Sequence, residues 1–67
     1  MNISGRNKIS GTVQDIKAGG VMTQVTLDIG GHQLTSIVSN DSISELGLKA
    51  GDQVTALIKA TSVMLMK

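Results

Sequence analysis

Phenylalanine, tyrosine, tryptophan, cysteine and proline are all absent from this 67-residue chain. Without aromatic rings there is no platform on which unpaired bases stack, so recognition of single-stranded nucleic acid falls to a minor alternative. Without cysteine there is neither a disulfide staple nor a thiol nucleophile. The single histidine, His32, leaves no Cys/His metal cluster and no Ser-His-Asp set. The chain therefore reads as a non-enzyme. An excess of one charge is missing too: six Lys and Arg stand against five Asp and Glu, a net charge of +1, and the two signs are interspersed. That pattern carries no electrostatic footprint for a polyanion. No apolar run approaches the roughly 20 residues needed to span a bilayer, and the N-terminus lacks the apolar core of a signal peptide. The expectation is a cytoplasmic protein with no membrane or nucleic-acid partner.

These absences also bear on stability. A chain of this length is one domain at most, spanning residues 1–67, and lies where a lone hydrophobic core is marginal. With no aromatic anchors, the natural compensation is burial of Val, Ile, Leu and Met between subunits. Met22, Met64 and Met66 suit such an interface, although methionine also serves as a gap-filler in cores. The expectation is an obligate homo-oligomer.

What is present is mostly strand. Ile9, Gly11 and Val13 alternate with Ser10, Thr12 and Gln14 until the phase breaks at Asp15-Ile16, which predicts a first strand with a bend or bulge near its end. Gly11 inside it marks that bend or a close backbone approach. Ala18-Gly19-Gly20 reads as a turn. Val21 to Ile29 alternates cleanly, Gly30-Gly31 supplies a tight hairpin, and the chain returns through His32 to Ser39. Ser42-Ile43-Ser44-Glu45 fits a capping box, and Gly47 stands where a helix of one to two turns stops. Val54 to Ile58 alternates again, Lys59 to Ser62 interrupts, and Val63 to Met66 reads as a last short strand. Three strands, a short helix and two further strands make the element order of an all-β, five-stranded OB-like barrel. Val25, Leu27, Val54, Ala56 and Ile58 would fill it, with Leu46 and Leu48 plugging one end.

Three clusters of hydrogen-bond donors lie on this frame. The opening Ser4-Gly5-Arg6-Asn7-Lys8 carries hydroxyl, amide, guanidinium and ammonium groups and no carboxylate. Gly5 permits close backbone approach, and Arg6 offers a fixed fork of N–H donors to a tetrahedral oxyanion. Ser39 and Ser42 fall at the start of the predicted helix, where unpaired N–H groups favour an anion. Lys59 follows the fourth strand. Each has a plainer explanation: a polar terminus for the first, helix capping for the serines, a solvated strand end for the lysine. Asp41, between the serines, opposes an anion there unless its side chain points away.

Ser4-Gly5-Arg6-Asn7, Gly11, Ser39 and Ser42, Leu46-Gly47-Leu48, Gly51 and Ile58-Lys59-Ala60 together resemble the molbindins, the single-domain members of the Mop or TOBE family of molybdate-binding modules. The resemblance covers nearly the whole chain. It implies an OB-like fold with strands exchanged between subunits, a homohexamer built as a trimer of dimers, and binding of molybdate or tungstate at subunit interfaces, with no organic cofactor. Carried over position by position, it assigns Ser4 and Arg6 of the opening, Ser39 and Ser42 at the helix start, Lys59, and Ala60 through a backbone N–H. Intracellular storage and homeostasis of the oxyanion is the role it implies. A non-catalytic oligomerising module with an assembly or regulatory role is the alternative. Two departures stand out: Gly5 and Ser39 replace the family's usual Ala and Thr, and Val21-Met22-Thr23-Gln24-Val25 replaces Val-Asn-Ala-Glu-Val, which puts any second class of site in doubt.

Overall fold

In a computed structural model, which describes residues 5–67, the sheet is organised around one long strand, β1 (Arg6–Ala18). Its first half pairs with β4 (Gln53–Lys59) and its second half with β2 (Met22–Ile29), and Thr12 is in register with both Gln53 and Asp28. β3 (His32–Ser39) pairs with β2 along its whole length. All pairings are antiparallel, in the order β3-β2-β1-β4.

Sequence pattern and structure agree in the first three strands for identifiable reasons. The register slips between Val13 and Asp15. Gln14 is the extra residue of a bulge, so Val13 and Ile16, three apart, both reach the core. A Cβ on Gly11 would sit 2.8 Å from Ile29 Cγ2 and 3.1 Å from the Asp28 carbonyl oxygen, so this glycine serves close approach of β2. Gly30 and Gly31 turn the hairpin at φ of 65° and 90°, values that side chains with a Cβ rarely adopt, and the Gly31 N–H donates to Asp28 Oδ1 at 3.0 Å.

The helix α1 (Asn40–Leu46) is capped three residues before the first serine of the predicted capping box. Ser39 is the cap: its Oγ accepts from the Ser42 N–H at 3.1 Å, and Ser42, the third helical residue, takes the place that the box assigned to Glu45. The end falls as expected, with Gly47 left-handed and its N–H donating to the Ile43 carbonyl at 2.9 Å.

Two other expectations are corrected. Leu46 does not plug the barrel; it is exposed, and Ile43 and Leu48 pack against the core instead. The last segment forms no strand. After β4 the chain makes a 3-10 turn at Ala60–Ser62, and Met64, Leu65 and Met66 stand more than nine-tenths exposed. A strand exists only through hydrogen bonds to a neighbour, and this segment meets no sheet edge of its own chain. Among the described residues the sheet therefore has four strands, with free edges at β3 and β4. Between those edges runs an open groove of about 1080 Å³, with Leu34, Val38, Leu48 and Val54 on its walls.

Among the described residues the buried apolar side chains are Val13, Val25 and Leu27, joined by partly buried neighbours such as Val54 and Ala56. The chain exposes 5309 Å², against roughly 4,000 Å² for a compact monomer of its mass.

Candidate functional site

Arg6 and Lys59 are brought together by the β1–β4 register, in which they are direct partners at the last rung of the ladder. Opposed residues of an antiparallel pair project to the same side, so the guanidinium and the ammonium leave one face at one end of the sheet. Both are exposed. The rung is closed by a hydrogen bond from the Ala60 N–H to the Gly5 carbonyl at 2.7 Å. That amide, expected from the family resemblance to face the anion, is thus committed within the chain, and Ala60 acts as the strut that holds the opening segment against Lys59. Gly5 turns there at φ 71°, a backbone that favours glycine. Asn7 fastens the same end by donating from Nδ2 to the Ile58 carbonyl at 3.4 Å. Ser4 lies outside the described residues.

Ser39 and Ser42 form the second cluster. Their hydroxyl oxygens are 2.9 Å apart, and Ser39 Oγ also accepts the Ser42 amide. Two hydroxyls carry two protons, and the pair consumes one; whichever serine donates to the other, one O–H remains to be given outward. Capping and anion binding are therefore compatible here. Asp41 is exposed in the first turn of the helix.

Asn40 sets the position of this cluster, and sequence reading missed it. Its backbone N–H donates to the Val21 carbonyl at 2.9 Å, and its Nδ2 donates to the carbonyls of Gly19 and Gly20, each at 3.3 Å. Its Oδ1 accepts from the hydroxyl of Thr23, the one buried polar residue among those described. The available signal was a threonine on an otherwise apolar face of β2, one strand-pair away from an asparagine at a helix start.

The two clusters do not meet within one chain. Arg6 begins β1 while Ala18 ends it; Ala18 pairs with Thr23, and the adjacent Met22 pairs with Ser39. The register thus puts the cationic pair and the hydroxyl pair at opposite ends of the longest strand. Arg6 and Lys59 line the open groove, and the walls of that groove do not include Ser39 or Ser42. Each cluster alone offers only a few hydrogen-bond donors.

His32 is exposed beside the hairpin. Among the described residues no group of three or more His, Cys, Asp or Glu stands together in a way that would hold a metal cation. No helix among them is long and apolar enough to cross a membrane.

Residues 3–65 match the TOBE domain model. The chain is 48% identical over 67 residues to molybdenum-pterin-binding protein 1 of Clostridium pasteurianum, covering 98% of each protein. Its fold superposes with a TM-score of 0.94 on a molybdate-binding protein from Sporomusa ovata, at 45% identity and with 100% of both chains covered. A TM-score of 0.84 at 44% identity relates 90% of it to 43% of ModG, a cytoplasmic molybdate-binding protein whose crystals held molybdate. These relatives are binding proteins rather than enzymes.

Proposed function

The chain belongs to the TOBE domain family, and on that premise we propose that it binds molybdate, or the equally charged and similarly sized tungstate, at sites between subunits of a homo-oligomer. Its role is to store the oxyanion in the cytoplasm and buffer its concentration, without catalysis and without an organic cofactor. The whole chain, 1–67, acts as one oxyanion-binding domain. The observation that carries this reading is the split of the donors: Arg6 with Lys59 at one end of β1, Ser39 with Ser42 at the other. A second copy placing its hydroxyl pair beside the cationic pair completes the shell. One guanidinium and one ammonium then balance the two charges of the anion, as a partly dry site requires. Ser4 joins Arg6 from the opening segment, and Ala60 holds that segment in place.

The assembly proposed is a hexamer, a trimer of dimers, with strands exchanged between partners. Two features support it: the exposed apolar segment Met64, Leu65, Met66, and the apolar groove between the free edges of β3 and β4. A segment donated by a partner would cover the groove, supply the fifth strand and close the barrel. The excess exposed surface has the same implication.

Thermodynamic linkage tests the binding claim. A ligand that binds only the folded assembly stabilises it by RT ln(1 + [L]/Kd), about 2.7 kcal/mol per site at a hundredfold excess over Kd. Calorimetry suits a chain without tryptophan or tyrosine. Molybdate should raise Tm, and sulfate, with its shorter bonds, should raise it less because some fixed donors fall out of hydrogen-bond range. Arg6→Ala should lose most of the molybdate shift while keeping the apo Tm. Failure of molybdate to stabilise the parent would leave the oligomerising module without a ligand role.

A further inference from the structure

Asn40 is the first residue of α1 and stands between Ser39 and Ser42, the two halves of the hydroxyl pair. Its side chain is spent inside the chain: Nδ2 donates to the carbonyls of Gly19 and Gly20, and Oδ1 accepts from the Thr23 hydroxyl. With its two amide hydrogens committed in this way, Asn40 has no side-chain donor left for a ligand. These bonds reach two fixed places. One is the turn between β1 and β2, itself closed by the Gly19 N–H on the Met22 carbonyl at 2.8 Å. The other is β2, where the buried Thr23 is in register with Ala18 of β1 and Val38 of β3. The helix has little else to hold it. None of its residues is fully buried, Ile43 alone among them packs on the core, and seven residues are too few to keep a helix in water by themselves. The direction in which Ser39 and Ser42 present their hydroxyls is therefore set chiefly by Asn40.

We propose that Asn40 is a positioning residue that sets the preference of the oxyanion site for molybdate over sulfate. The inference rests on the assignment of Ser39 and Ser42 to that site. The two anions share charge and shape and differ in bond length, so a site tells them apart by where its donors are held. A hydroxyl pair locked to the sheet stays at the distance that suits the longer bonds of molybdate and cannot follow the smaller anion inward. A pair on a helix that rocks about Ile43 follows either anion, and the distinction is lost. General loss of stability acts differently. It lowers the fraction of binding-competent protein, which weakens both anions by the same factor and leaves their ratio unchanged.

The test is isothermal titration of the full chain with sodium molybdate, alone and in competition with sodium sulfate at constant ionic strength, for the parent, Asn40→Ala, Thr23→Val and Thr23→Ser. Asn40→Ala should weaken molybdate about tenfold, as loss of an outer supporting partner or of one well-aligned bond to a charged group does. Sulfate, which already misses some donors, should weaken by less than about threefold, so the preference for molybdate falls by about threefold or more. Thr23→Val removes one bond of the clamp and should lower the preference in the same direction by less. Thr23→Ser keeps the donor and should keep the preference of the parent. Equal weakening of both anions in Asn40→Ala, or no weakening of either, overturns the proposal. If Asn40→Ala does not fold, the ratio in Thr23→Val decides by the same criterion. A parent protein that takes up no molybdate overturns the site assignment and this inference together, so the two failures are told apart by the parent alone.

Discussion

Thr23 carries a hydroxyl at a position only 2% exposed, and that hydroxyl is spent on Asn40 Oδ1. Valine has nearly the same shape and no donor. Thr23→Val should leave the Asn40 carbonyl oxygen short of a partner in a part-buried place, at a cost of about 1–3 kcal/mol. Urea denaturation at fixed protein concentration measures this directly, and Thr23→Ser, which keeps the donor, should recover part of the loss. A fully stable Thr23→Val would mean that the Asn40 clamp contributes nothing. The same scale separates Lys59 from the core. Its ammonium is exposed at the end of β4, so Lys59→Ala should weaken molybdate binding at least tenfold by dialysis while moving apo stability by no more than about 0.5 kcal/mol. Equal affinity in variant and parent would return Lys59 to the solvated surface.

At the scale of elements, alternation and glycine placement made β1, β2 and β3 legible in the sequence, because each strand has one face on the core and each turn has a physical requirement that glycine meets. The Gln14 bulge could be read from the phase break at Asp15-Ile16. The helix start could not be placed so well, since Ser39, Ser42 and Ser44 are all competent caps and only the Asn40 contacts with the preceding turn choose among them. Arg6 and Lys59 were recognisable as donors, but their shared rung depends on the β1–β4 register, a pairing across most of the chain length that local pattern does not encode. The last segment misled for a related reason: Val63 to Met66 is strand-like in composition, but a strand needs an edge to join. If another subunit supplies that edge, deleting residues 63–67 should lower the oligomer mass measured by light scattering. An unchanged number of chains per particle would make the segment a solvated tail.

For the whole molecule, the proposed assembly would account together for the small core, the surplus of exposed surface and the separation of the donor clusters. Among the described residues a lone chain has a four-stranded open sheet, a bare apolar groove and two separate clusters of donors. In the proposed assembly several copies would remove all three deficits together, and the anion would bind where subunits meet. Native mass spectrometry at micromolar protein, before and after addition of molybdate, tests this most directly, because one spectrum reports both the number of chains and the number of anions. The account predicts a hexamer that gains molybdate in whole-number steps and carries none once dissociated to monomers. A folded monomer as the dominant species, or a monomer that retains molybdate as well as the assembly does, would contradict it.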